Sequence, residues 1–185
     1  AMIDAFVRIR ERGIRAELAI VGDGPLLAEL RRKRRRSDIA YTGFLEGEDL
    51  AAAYASADVM VFPSTTDTFG NAVLEAQACG LPAIVSDRGG PQEIVRSHDS
   101  GLIVDLTEPD ALADAMAEMM TNDDMRNVMG AAALVNAQDR SWDSVFETFW
   151  NLTSPEETPE LLDNFHTIKP MDSTRKAVEL AGSMS

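Results

Sequence analysis

The chain has 185 residues, 45% apolar and 26% charged, with a formal net charge of −14 and a single cysteine. This composition suits one ordinary domain with its own core, and no apolar run approaches the roughly 18 to 20 residues of a membrane-spanning helix. Cys79 alone excludes an internal disulfide and disfavours a cysteine-built zinc site, and no signal-peptide pattern is present, so a soluble, cytoplasmic protein is expected. The acidic balance argues against nucleic acid as a partner.

Met2 to Arg12 places Ile3, Phe6, Val7 and Ile9 at helical spacing, and Gly13 stops the helix. Ala16 to Val21 reads as a short apolar strand, GDGP as a turn, and Leu26 to about Arg35 as a helix with Pro25 in its first turn. A strand follows at Ile39 to Thr42, an alanine-rich helix at Asp49 to Ala57, and a buried strand at Asp58 to Phe62 (DVMVF). Asn71 to Cys79 reads as a helix ended by Gly80-Leu81-Pro82, Ala83 to Ser86 as a strand, Pro91 to Arg96 as a short helix and Leu102 to Val104 as a last strand. Helices are predicted at Glu108 to Thr121, Asp123 to about Ala137 and Ser141 to Leu152.

Strands without period-2 alternation, each separated by a helix, predict a doubly wound α/β domain, a parallel sheet with helices on both faces, over residues 1–152. A start on a helix leads to the expectation that the first strand and its loop lie upstream. Residues 153–185 turn polar, contain three prolines and read as a tail or extension. In such sheets ligands bind beyond the carboxyl ends of the strands.

The segment after DVMVF has the richest chemistry. TTDTFGNAVLEAQACGLP puts Asp67 on a loop, Gly70 at a helix start and Glu75 within an apolar helix. Free N–H groups at a helix start favour a phosphate, and Gly70 allows close approach to the backbone. Glu75 lies roughly 7 Å further along the axis. Two carboxylates either side of a phosphate site would suit a nucleotide sugar, with hydroxyls at both ends of a diphosphate. Asp67 equally suits a helix cap or turn. Glu75, among Ala72, Val73, Leu74 and Ala76, needs an exposed face or a partner.

The D-x7-E pattern of DTFGNAVLE, with DRGGPQEIV and SGLIV after it and VGDGPLLAEL, YTGFL and ADVMVFPS before it, resembles the nucleotide-sugar-binding C-terminal half of family 4 (group 1) retaining glycosyltransferases of GT-B fold. The resemblance covers about residues 1–150. It implies Asp67 near the transferred sugar and Glu75 on the ribose hydroxyls. Phe69, Gly70 and Asn71 would meet the diphosphate and sugar, Gly22 and Gly24 the nucleotide, and Phe44 the base. Gly89 and Gly90 would line the cleft. It further implies an N-terminal acceptor-binding half and a basic pair for the diphosphate, neither present in this sequence, so that the fragment alone would transfer little. Asp67 is one methylene shorter than the commoner Glu.

The implied activity is transfer of a sugar from a nucleoside diphosphate to an acceptor hydroxyl with retention. No D-x-D pair occurs, in keeping with metal-independent transfer and no cofactor. An epimerase of similar fold and a non-catalytic nucleotide-sugar-binding module are the alternatives. VGDGPLL lacks the third glycine of G-x-G-x-x-G because Leu27 stands there, which disfavours a nicotinamide site. RRKRRR at 31–36 reads as a solvated helix end or, as the second choice, a peripheral contact with anionic lipid at the inner face of the membrane. Cys79 reads as a small buried residue, and Met116, Met119, Met120 and Met129 as helix packing. His98, His166 and the Asn151-Leu152-Thr153 sequon receive no role.

Overall fold

A computed structural model describes residues 1–140. The predicted helix at 141–152 and the tail at 153–185 lie outside them. The elements alternate as the sequence predicts: α1 (Met2–Glu11), β1 (Leu18–Val21), α2 (Leu27–Lys33), β2 (Ile39–Gly43), α3 (Gly47–Ala55), β3 (Met60–Phe62), α4 (Asn71–Ala78), β4 (Ala83–Ser86), α5 (Pro91–Ile94), β5 (Gly101–Val104), α6 (Ala111–Thr121) and α7 (Asp123–Gln138). No helix among the described residues is long and apolar enough to cross a membrane.

Every ladder is parallel, but the strands form two sheets, β1–β2 and β3–β4–β5. One core serves both. Phe6 and Ile9 of α1 and Met116 and Met119 of α6 pack with Leu18 and Ile39 of the first sheet and Ile84 and Leu102 of the second. Phe6 and Ile9 are at most 1% exposed, so each contributes about 1.5–3 kcal/mol by leaving water. Leu30 of α2 joins this side. Val73 of α4 and Ile94 of α5 instead pack on Ala83 and Val85, on the opposite face of the second sheet.

A hydrogen bond from Tyr54 Oη to Glu75 Oε2 joins α3 to α4. No ladder joins β1 to β3 among the described residues.

Helices cover both faces of the second sheet, whereas Ala19, Val21, Ala40 and Thr42 leave one face of β1–β2 exposed among the described residues. Local chemistry also moves some element ends. The helix predicted to run to Arg96 stops at Ile94, because Val95 is extended and the Arg96 N–H donates to Ser100 Oγ at 3.0 Å. The helix predicted from Glu108 begins at Ala111, after Asp110 takes a left-handed conformation with φ 67°.

Candidate functional site

The loops after β3 and β4 lie together at the carboxyl end of the second sheet, where a parallel sheet presents its ligand site. The first is folded by its own short polar side chains. Ser64 Oγ accepts from the N–H groups of Thr66 and Asp67 at 3.4 and 3.2 Å. Asp67 Oδ1 then accepts from Phe69 and Gly70 at 2.9 and 2.5 Å. These are the side-chain turns that Ser and Asp form with N–H groups two and three residues on. Asp67 thus shapes the loop, and its Oδ1 already holds two of the three amides expected at a diphosphate. Its Oδ2 makes no hydrogen bond among the described residues.

Gly89 and Gly90 bring the second loop against the first. The Gly90 N–H donates to Asp67 O at 2.9 Å. A Cβ on Gly89 would lie 2.7 Å from Asp67 O, and one on Gly90 would collide with Thr68 O and lie 2.8 Å from Phe69 N. The pair therefore serves close backbone contact between the loops. Gly70 has the same kind of reason: its φ is 75°, and a Cβ there would meet Ile94 Cδ1 and Pro91 Cα, each at 3.0 Å. The fold itself demands this glycine, beyond any room it gives a ligand.

From Gly70 the chain enters α4. Val73 N–H bonds back to Gly70 O, and no side chain caps the helix. The N–H groups of Asn71 and Ala72 are left facing the loop without an intrahelical partner, with the partial positive charge of a helix start. Asn71 and Phe69 are exposed, Phe69 to 74%. Further along α4, Glu75 is exposed, and Tyr54 Oη donates to its Oε2 at 3.3 Å. Glu75 Oε1 accepts no hydrogen bond among the described residues. Burial, followed by the Glu75 carboxylate, pushes the Tyr54 phenol up to about 12.

The remaining predicted residues lie at the ends of β1 and β2. Gly22 N–H donates to Gly43 O at 2.7 Å, closing the ends of the two strands on each other. Gly22 has φ 120°, Gly24 is exposed with open space around it, and Phe44 is 65% exposed directly after β2. An exposed Phe at a strand end has the flat apolar surface on which a base can stack.

Sequence reading missed three contributors. Ser64 has a local signal, its position three residues before Asp67. Tyr54 is 21 residues from Glu75 and has none. The third is a fully buried polar chain behind α4: Asn136 Nδ2 donates at 2.7 Å to both Gln77 Oε1 and Ile94 O, and Gln77 Nε2 donates to Ser100 Oγ at 3.2 Å.

The basic run at 31–36 is largely engaged within the chain. Arg31 donates to Tyr41 O, Lys33 pairs with Glu29, Arg34 with Asp4, and Arg36 with Asp38. Cys79, expected to be buried, is exposed, because it follows Glu75 by one turn on the outer side of α4. Met116, Met119 and Met129 are core residues, with Met120 packed against them.

A sequence profile described as glycosyl transferases group 1 matches residues 1–122. The GDP-mannose-dependent alpha-mannosyltransferase of Corynebacterium glutamicum is 37% identical over 129 residues, covering 70% of this chain and 31% of that protein. The GDP-mannose-dependent alpha-(1-6)-phosphatidylinositol monomannoside mannosyltransferase of Mycobacterium tuberculosis is 37% identical over 157 residues, covering 78% of this chain and 40% of that protein. Among solved structures, sucrose-phosphate synthase from Thermosynechococcus elongatus superposes with a TM-score of 0.68 at 26% identity, over 82% of this chain and 41% of its own. The chain spans less than half the length of these proteins. Profile, relatives and fold agree: the chain belongs to the group 1 glycosyltransferase family, and its α/β architecture is part of a GT-B fold.

Proposed function

We propose that the chain is the donor-binding part of a retaining hexosyltransferase that uses a nucleoside-diphosphate sugar. The observation that carries this reading is the joined pair of loops after β3 and β4, set against the uncapped start of α4 with Glu75 beyond it. The diphosphate takes the Asn71 and Ala72 amides, the ribose hydroxyls take Glu75 Oε1, and the base lies by Phe44 and the Gly22–Gly24 turn. Asp67 Oδ2 is left to face the transferred sugar, while Oδ1 keeps the loop in shape.

In the transfer step, the bond from the anomeric carbon to the β-phosphate oxygen breaks and a bond to the acceptor oxygen forms on the same face. The acceptor proton passes to the departing phosphate oxygen. The protein's part is orientation and electrostatic support of a diphosphate that gains charge. The sequence carries no D-x-D pair, and on this reading the α4 N-terminus and basic side chains do the work a cation would do. The acceptor is held by a further, N-terminal part of the whole protein.

GDP-mannose is the first donor to test, because both mannosyltransferase relatives depend on it by name. In the full-length enzyme, Glu75→Ala is expected to abolish transfer while the protein remains folded by circular dichroism. Transfer at the wild-type rate by Glu75→Ala would overturn the assignment. Epimerised donor formed with no acceptor present would identify an epimerase instead.

A further inference from the structure

The donor reading gives Glu75 a task, and its surroundings show how that task is made possible. A glutamate on an exposed helix face has three rotatable bonds, and fixing them on a ligand costs conformational freedom. Here one other side chain limits that freedom beforehand. Tyr54, half-buried near the end of α3, donates from Oη to Glu75 Oε2 at 3.3 Å. Among the described residues this is the only side-chain hydrogen bond or ion pair joining α3 to another element, and no residue of α3 is fully buried.

We infer that Tyr54 is a positioning residue for the donor site: its hydroxyl holds Glu75 Oε2 so that Oε1 is presented to the ribose diol. The inference rests on the donor reading of Glu75. A carboxylate can accept at both oxygens at once, so the phenol and a ribose hydroxyl do not compete. The phenol, pushed up to about 12, stays protonated and remains a donor through the working pH range. A bond of 3.3 Å is long for an O–H group facing a carboxylate, and such contacts commonly tighten when the ligand engages. The Tyr54 hydroxyl acts through Glu75 Oε2, so on this inference its effect is confined to the group that Glu75 holds.

The test uses the full-length enzyme and measures the affinities of GDP and 2′,3′-dideoxy-GDP, or of the uridine pair where UDP binds more tightly, by calorimetric titration. In the wild type the dideoxy nucleotide is expected to bind at least tenfold more weakly. Tyr54→Phe removes only the hydroxyl. It is expected to raise the donor KM and weaken GDP about 3- to 10-fold, with kcat within about twofold and the dideoxy affinity unchanged.

A purely structural role for Tyr54 would weaken both nucleotides alike, and that result, or no loss for either, overturns the inference. Glu75→Ala separates the two levels of the reading. If it erases the discrimination between the nucleotides while Tyr54→Phe leaves it intact, only the positioning role of Tyr54 falls. If Glu75→Ala preserves the discrimination, or neither nucleotide binds the wild type, the donor reading falls and the inference with it.

Discussion

Asn136→Ala is the substitution whose cost can be worked most directly from the structure. Asn136 is fully buried, and its Nδ2 donates at 2.7 Å to both Gln77 Oε1 and Ile94 O. Alanine strands both acceptors, and each buried, unpaired polar group costs about 1–3 kcal/mol. Part of this is offset, since Asn136 Oδ1 already lacks a partner among the described residues and its loss removes one orphan. The net destabilisation is therefore about 2–4 kcal/mol, a large share of the roughly 5–15 kcal/mol by which domains are stable. With a urea slope of about 2 kcal/mol/M, the unfolding midpoint followed at 222 nm should fall by about 1–2 M with the slope unchanged. A fall below about 0.3 M would refute the reasoning. Combining Asn136→Leu with Gln77→Met replaces both partners by apolar groups, and should cost about 1–2 kcal/mol less than the sum of the single changes.

Three further outcomes follow from the same geometry. Gly90→Ala drives a Cβ into Thr68 O and to 2.8 Å from Phe69 N, parting the two loops; calorimetric titration should find nucleotide affinity lower by at least about tenfold, with a stability loss of about 1–3 kcal/mol. The Asp38 carboxyl is held well below its ordinary value chiefly by hydrogen bonds from Arg36, with burial opposing them and the Arg10 hydrogen bond adding to them. A depressed carboxyl stabilises the fold above its unfolded pKa of about 3.9 and loses that contribution as pH falls below it, so urea midpoints should drop less steeply from pH 4 to 2 in Asp38→Asn than in the wild type. Asp67→Ala removes the acceptor of two loop amides and should raise hydrogen exchange at Phe69 and Gly70, whereas unchanged exchange would deny Asp67 its part in shaping the loop.

The order of elements was legible because buried parallel strands write themselves as unbroken apolar runs, AIVS at β4 being the plainest, and because Gly and Pro mark the stops. Helix ends were less so. The predicted helix through Arg35 ends at Lys33, where Arg34 turns to pair with Asp4, a partner that local sequence does not reveal. The glycines were legible as special positions, while their reasons were not: Gly89 and Gly90 are set by Asp67, Thr68 and Phe69, some twenty residues earlier in the chain. Cys79 was misjudged for a related cause, since an apolar sequence does not say which side of α4 the rest of the protein covers. The two-sheet arrangement rests on strand pairing across the whole domain, and no local window carries it.

What unites the site is that α4 is held at two points with Glu75 between them. At its start, Gly70 is packed on Pro91 and Ile94. Two residues beyond Glu75, Gln77 is bonded to Asn136 of α7 and to Ser100 before β5. Both contacts oppose a rotation or slide of the helix by the ångström that would carry a carboxylate out of reach of a hydroxyl, and misplacement on that scale is costly in positioning chemistry. The buried polar chain therefore acts on stability and on site geometry through the same bonds, whereas Tyr54 adjusts only the end of one side chain. The two should separate experimentally: loosening Asn136 should lower the unfolding midpoint and weaken ribo- and dideoxynucleotides together, while removing the Tyr54 hydroxyl should spare the midpoint and weaken the ribonucleotide alone.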